Sequence, residues 1–393
     1  MPYNTYLLDI PSSNLLGFAY SINKDGTVVG NSGSPGKFVG MVWSPAAVQL
    51  DLAAGALVTF ASGINDFGTV VGSYEFDLND FYPFVRHENG EVQDLKDAFP
   101  EGGFASDINN SGRIVGSLGT FEPTKMRAFL YDYQTEDEPT NLGVLPGHDT
   151  SQAIAVNNNG QAVGQSGVSP SFEGAHGFMY DGSLIDLGAE FIPEDINDQG
   201  LVVGIKDNTS PAICDTAAGT LEVKELGALP SGAYRGYAHG INSKGDVVGE
   251  WQGNERRAFV CLAGKSPVDL NELIVEDSGW LLETAEDIND DGCIAGYGIY
   301  NGKEQPYLLC PAVEQIGWSK IIRYVMIDPL TLILPGEIYV AITKPNPPPI
   351  ATLASQISES VKRLSPLEKR IVRSKLAKLK TYVGALEKGL KSK

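Results

Sequence analysis

Glu194, His239, Glu286 and Tyr20 occupy one recurring place in this chain: each lies three residues ahead of an Asn that opens an Asn-x-x-Gly segment. Two carboxyls, an imidazole and a phenol are groups from which acid and base catalysis is built, and such a set can also hold a cation. The Asn-x-x-Gly segments suggest chemistry of their own. "INDFGTVVG" at 64–72 carries an Asn, an Asp and two glycines, and "NDDG" at 289–292 resembles the start of a calcium loop. A calcium loop needs further oxygen ligands at alternate positions and a late bidentate Glu, whereas Cys293, Ile294 and Ala295 come next. A phosphate cradle needs a helix N-terminus behind the glycines, and no helical pattern follows them. The segments read as turns, with no metal and no cofactor expected.

The same pattern recurs as SINKDGTVVG (21–30), DINNSGRIVG (107–116), AVNNNGQAVG (155–164), DINDQGLVVG (195–204), GINSKGDVVG (240–249) and DINDDGCIAG (287–296), which with 63–72 makes seven copies. Their asparagines, Asn23, Asn65, Asn109, Asn157, Asn197, Asn242 and Asn289, are 42, 44, 48, 40, 45 and 47 residues apart, the period of a propeller blade. Each unit offers four short strands: one ending at Ile-Asn, one carrying Val-Val-Gly, a third such as "RAFLY" (127–131) and a fourth such as "LIDLG" (184–188). The last unit supplies only three, while "TYLLDI" at 5–10 has the fourth-strand pattern. We therefore expect an all-β fold, a seven-bladed β-propeller over residues 1–318 closed by its N-terminal strand.

The "INxxGxVVG" segment, followed by an "AF" strand and a "DLG" strand, resembles the HAF repeat, described as a probable extracellular repeat, over roughly residues 5–312. Its His-Ala-Phe survives here as Arg127-Ala128-Phe129, His176-Gly177-Phe178 and Arg257-Ala258-Phe259. The resemblance implies a propeller outside the cell and carries no settled activity or catalytic residues.

Within each unit, Asn at the first turn position and Gly three residues on (Gly26, Gly68, Gly112, Gly160, Gly200, Gly245, Gly292) suit a type I turn closed by a left-handed glycine. A second glycine, seven residues after the Asn, lies inside a strand and marks close backbone approach. Four residues before the Asn stands Ala in six units, with Pro193 in the fifth, as expected where inner strands converge. The next column diverges: Tyr20, Ser62, Ser106, Ile154, Glu194, His239 and Glu286. Blades 5, 6, 7 and 1 are neighbours in a closed ring, so Glu194, His239, Glu286 and Tyr20 should form one arc near the axis. The competing reading is that these side chains lie between blades and satisfy one another. The rim opposite the Asn turns should hold the longer insertions, where Tyr74, Tyr234, Arg235, Trp251, Arg257 and Trp280 can stack on and hydrogen-bond a ligand.

A formal charge of −20 over 393 residues excludes a phosphate-neutralising nucleic-acid binder. Cys214, Cys261, Cys293 and Cys310 are widely spaced with no CxxC pair, and read as buried free thiols. The start, "MPYNTYLLDIPSSN", has no basic region and no long apolar run, which points to a soluble cytoplasmic protein, with export the alternative that the resemblance implies. Residues 319–350 read as an apolar extension ending in the Pro-rich linker "KPNPPPI". Residues 351–393 hold eleven Lys and Arg against Glu359, Glu368 and Glu387, a net +8 that leaves −28 for the remainder. The spacing there predicts a basic helical hairpin, an α-helical appendage suited to docking on the acidic body or pairing two copies as a homodimer. Contact with an anionic membrane is the less favoured use.

Fold does not select function. The first expectation is a propeller that recognises a small molecule, glycan or protein at its channel mouth. The alternative is an enzyme of lyase, hydrolase or cyclase type using Glu194, His239, Glu286 and Tyr20 on an uncharged or cationic substrate.

Overall fold

A computed structural model describes residues 2–312, apart from 45, 51–55, 78–79, 120–125, 136–137, 170 and 218–220. The segments expected to form an apolar extension, a Pro-rich linker and a basic helical hairpin (319–393) lie outside the described residues.

Seven four-stranded antiparallel sheets account for the chain from Tyr3 to Pro311. Their inner strands are Leu16–Ile22, Val58–Ile64, Gly103–Ile108, Thr150–Val156, Phe191–Ile196, Arg235–Ile241 and Trp280–Ile288, which define blades 1 to 7 in order. Six blades run straight through the sequence. The seventh takes its outer strand from the N-terminus: Tyr3–Leu7 pairs with Lys303–Pro311, in register Tyr3 with Pro311 and Leu7 with Tyr307. The expected closure is therefore present, on a strand that starts two residues earlier than the "TYLLDI" pattern.

The apolar core is divided among the interfaces between blades. Val29 and Val42 of blade 1 pack with Ala61, Val70 and Phe84 of blade 2, and six further clusters repeat the arrangement around the ring, the last joining Ala295 of blade 7 to Ala19, Val28 and Met41 of blade 1. Burying one such aliphatic or aromatic side chain contributes about 1.5–3 kcal/mol, so each interface is held mainly by these contacts.

The Asn turns add a polar belt. In every unit Asn Oδ1 accepts the backbone N–H groups two and four residues ahead, as Asn65 does from Phe67 and Thr69 at 3.0 Å each. Its Nδ2 then donates to the backbone carbonyl of the next blade's Asn. The chain of donors runs Asn23 to Asn65 (3.2 Å), Asn65 to Asn109 (3.1 Å), Asn109 to Asn157 (2.9 Å), Asn157 to Asn197 (3.0 Å), Asn197 to Asn242 (3.0 Å), Asn242 to Asn289 (3.2 Å) and Asn289 back to Asn23 (3.0 Å). The ring closes on itself, and all seven asparagines are buried. These amides are committed to the scaffold.

The turn glycines have φ between 74° and 87°, the left-handed region the sequence pattern requires. The strand glycines answer a different demand. A Cβ on Gly72 would lie 1.8 Å from the carbonyl oxygen of Phe60, and the equivalent atom on Gly116 would lie 1.8 Å from that of Phe104.

One expectation is corrected. Cys293 and Cys310 form a disulfide, with Cα atoms 4.2 Å apart, while Cys214 and Cys261 are free and buried as expected of all four. Ile294 pairs with Leu309, so the next pair outward places the two sulfurs directly across from one another, a proximity that a 17-residue separation alone does not reveal.

Two outcomes follow for stability. Asn109→Ala removes one donated and two accepted backbone hydrogen bonds from the belt and should cost about 2–4 kcal/mol in denaturant midpoint measurements. Gly72→Ala should abolish folded yield, whereas Gly26→Ala, with no atom within 4 Å of the new methyl, should cost only about 1–2 kcal/mol of left-handed strain.

Candidate functional site

In each inner strand a β-bulge falls between the Ala or Pro four residues before the Asn and the residue two before it: Ala19 pairs with Gly30 and Ser21 with Val29, and the other six strands repeat the shift. A bulge puts two residues of one strand opposite one of its partner, so two consecutive side chains turn the same way. The burial pattern of Leu16–Ile22 shows the consequence. Phe18, Tyr20 and Ser21 are half-buried, while Gly17, Ala19 and Ile22 are buried. In this strand the residues three and two before the Asn therefore share the less buried face.

Sequence reasoning found the first column and missed the second, which reads Ser21, Gly63, Asp107, Ala155, Asp195, Gly240 and Asp287. Aspartates occupy blades 3, 5 and 7 and small residues the blades between. The small residues make room: a Cβ on Gly63 would lie 3.0 Å from Asp107 Oδ1, and one on Gly240 would lie 2.9 Å from Asp287 Cα. Each aspartate accepts from the amide that follows it and from the next blade. Asp107 takes Val156 N–H, Asp195 takes Ile241 N–H and Asp287 takes Ile22 N–H, each at 2.9 Å. Burial raises all three carboxyl pKa values, Asp107 to about 7, and mutual repulsion adds to the effect at Asp107 and Asp195. Their acceptor oxygens are spent on backbone amides, which makes them stitches between blades.

The first column carries the acid–base groups, and a wider set surrounds it. Burial raises the Glu194 carboxyl to about 7. Burial first, then the charges of Glu250 and Glu194, raise Glu286 to about 8, with the Tyr297 hydroxyl donating a hydrogen bond that partly offsets the rise. Tyr20 is raised to about 12 by burial and by the Glu286 charge, so it remains a hydrogen-bond donor. Burial lowers the His239 pKa, opposed by the Glu250 charge and aided by the Arg256 charge, which favours the neutral ring. That ring stacks on Tyr237 at 5.7 Å, and its buried Nε2 has no hydrogen-bond partner. Tyr20, Glu194 and Glu286 thus share one electrostatic neighbourhood, and His239 joins it through Glu250.

Glu250, Arg256 and Tyr297 come from second and third strands. Glu250 lies on Val247–Gln252 and pairs across the sheet with Tyr237; it is 4% exposed. It accepts from Thr284 Oγ1 at 2.7 Å and Gln252 Nε2 at 2.6 Å, and faces the Arg256 guanidinium at 3.4 Å. A signal for this layer existed: the residue directly after the conserved strand glycine is Asn31, Ser73, Ser117, Gln165, Ile205, Glu250 and Tyr297, a column as varied as the first.

Five residues before each Asn the channel face changes character. Phe18, Phe60 and Phe104 stand there in blades 1 to 3, backed by further rings. Phe18 meets Tyr297 edge-on at 4.9 Å and Phe38 at 6.0 Å, while Phe81 bridges Phe60 at 6.2 Å and Phe104 at 4.6 Å. Phe rings thus hold this level in blades 1 to 3 and Tyr237 holds it in blade 6, while Glu194, Glu250 and Glu286 belong to blades 5 to 7.

The rim residues expected to bind a ligand are dispersed. Trp251 and Arg257 line a cleft of roughly 670 Å³ on blade 6, where Arg257 is paired with Glu255 at 2.7 Å and Asp269 at 3.2 Å. Arg235 donates to the Asn208 carbonyl at 2.7 Å and lies 5.3 Å over Tyr237. Tyr234 is exposed. Tyr74 is buried with its hydroxyl on Asp94, and Trp280 packs against Tyr300 and Tyr307 within blade 7.

Among the described residues no three His, Cys, Asp or Glu side chains are grouped to hold a metal ion, and no helix is long and apolar enough to cross a membrane.

The raised carboxyls fix a sign for pH dependence. The folded state holds Glu194 and Glu286 protons to about 7 and 8, against an ordinary 4.5, so their contribution to stability is complete below pH 4.5 and is lost as pH rises to 8. Glu286→Gln removes its share, and the melting temperature of that variant minus wild type should climb steadily between pH 5 and 8.5. A flat difference would mean that Glu286 titrates normally.

No family model matches the chain, the HAF repeat included, and no curated protein matches it in sequence. Solved structures do. A catalytically inactive virginiamycin B lyase from Staphylococcus aureus, crystallised with quinupristin, shares 10% identity over 79% of this chain and 99% of its own, with a TM-score of 0.50. A gluconolactonase from Xanthomonas campestris shares 11% over 79% of this chain and 96% of its own (TM-score 0.41). The chain also covers 40% of a prolyl endopeptidase, at 10% identity over 62% of its own length (TM-score 0.45). At these identities the likeness is one of fold: this chain is a seven-bladed β-propeller.

Proposed function

We propose that the channel mouth of blades 5, 6, 7 and 1 is the active site of an enzyme that moves protons, cleaving its substrate by hydrolysis or elimination. The observation carrying this reading is a pair of carboxyls, Glu194 and Glu286, held in one neighbourhood with different raised affinities for protons, beside a neutral His239 whose Nε2 is unpartnered. Carboxyls separated in this way can divide the labour of acid and base near neutral pH. Glu286, protonated at pH 7.5, donates to the leaving group. Glu194, then mostly ionised, accepts a proton from water or from the substrate. His239 Nε2 and the Tyr20 hydroxyl orient the reacting group, and Thr284 and Arg256 hold Glu250 in place behind them. The lyase and the gluconolactonase of similar fold are consistent with such chemistry on this scaffold without specifying it.

Recognition without turnover is the second reading, favoured by the aromatic half of the mouth. The Cys293–Cys310 disulfide supports the exported alternative for location, since disulfides persist in oxidising compartments.

The test is a panel of chromogenic esters, lactones and β-elimination substrates. The expected result is turnover with a bell-shaped pH profile, its limbs near 7 and 8, that falls at least about 100-fold in Glu194→Gln and in Glu286→Gln. Turnover indifferent to both substitutions would remove these residues from the mechanism, and no turnover on any class would leave recognition as the function.

A further inference from the structure

The mouth has two chemically distinct halves on adjoining blades. Blades 5 to 7 present Glu194, Glu250, Glu283 and Glu286, with the guanidiniums of Arg256 beside Glu250 and Arg235 over Tyr237, and with Asp195 and Asp287 one residue nearer the Asn turns. Blades 1 to 3 present Phe18, Phe60 and Phe104. A ligand seated between them meets a carboxyl-rich wall on one side and ring faces and edges on the other.

Charge chooses among ligands first. An anion would be repelled by Glu194 and Glu250, whose charges already oppose the ionisation of Glu286. A neutral ligand would leave that repulsion in place. A cation relieves it. Hydrogen-bond count narrows the choice further. Glu194, His239 and Glu286 stand at equivalent positions of three consecutive blades, and the His239 Nε2, in the tautomer with its proton on Nδ1, is a buried acceptor with nothing to accept from. With both carboxyls ionised, Glu194, Glu286 and His239 Nε2 offer one acceptor on each of three consecutive blades, which matches the three N–H donors of a protonated primary amine and which a hydroxyl or a carboxylate cannot supply. Opposite them, rings supply flat apolar area and negatively polarised faces that favour both an aromatic group and a neighbouring positive charge.

We infer that the mouth recognises a small primary ammonium compound bearing an aromatic group, its nitrogen at Glu194, His239 and Glu286 and its ring against Phe18, Phe60 and Phe104. This substrate class rests on the proposal that the same residues form the active site, and it extends that proposal from a reaction type to a molecule.

The test measures binding alone, so it does not depend on turnover. Phenethylamine, phenylacetate and n-butylamine are titrated against the full chain by calorimetry, with Glu194→Gln/Glu286→Gln and Phe60→Leu/Phe104→Leu as variants and their melting curves as folding controls. Phenethylamine should bind at least about tenfold more tightly than either other probe. The Gln pair should cost it about tenfold or more, and the Leu pair should remove its advantage over butylamine. Equal or tighter binding of phenylacetate, no binding of phenethylamine, or affinity unchanged in the folded Gln pair would each overturn the inference. Binding of the amine without turnover of any substrate would sink the acid–base mechanism and leave the ligand class standing. Turnover of a neutral or anionic substrate with no amine binding would do the reverse.

Discussion

A closed circle of seven hydrogen bonds, each from one asparagine amide to the backbone of the next blade's asparagine, is the constraint around which this protein is organised. Apolar packing supplies most of the energy between blades, but it is tolerant of small slides. A directional bond near 3 Å is less so, and seven of them in a circle fix the height and rotation of every inner strand together. Because each asparagine also folds its own turn, the local and global demands coincide in one side chain. That agreement explains why substituents differ so freely a few residues away.

The freedom is used at the channel. The bulge ahead of every turn directs two consecutive side chains toward the axis, and blades divide the two positions between structure and chemistry. Asp107, Asp195 and Asp287 spend theirs on amides of the following blades. His239, one residue before Gly240 in the same arrangement, keeps a buried Nε2 that no scaffold group engages. Buried polar capacity left open in an otherwise well-paired structure is what a binding site requires before its ligand arrives.

The blade count, the turn geometry, the two glycine columns and the closing strand were all readable in the sequence, because each rests on a local rule repeated seven times. The column of Tyr20, Glu194, His239 and Glu286 was picked out on the same ground, since equal offsets from equal turns place residues at equivalent strand positions. The aspartate column was not, since an alternating strand should turn the residue after Glu194 away from the axis and only the bulge brings Asp195 back. Glu250, Arg256 and Tyr297 required cross-strand register, which joins Tyr237 to Glu250 and Thr284 to Tyr297 across hairpins. The disulfide was hidden likewise, because Cys293 and Cys310 become neighbours only once Ile294 is known to face Leu309.

The proposed acid–base mechanism depends on Glu194 and Glu286 sharing one crowded neighbourhood and holding protons near neutral pH. Carboxyl carbon NMR titration of the labelled protein, with both resonances assigned through their Gln variants, observes this directly. The account predicts midpoints near 7 and 8, and a fall in the Glu286 midpoint when Glu194 is replaced by Gln. Two independent titrations close to the ordinary 4.5, with Glu286 unmoved by the change at position 194, would contradict it.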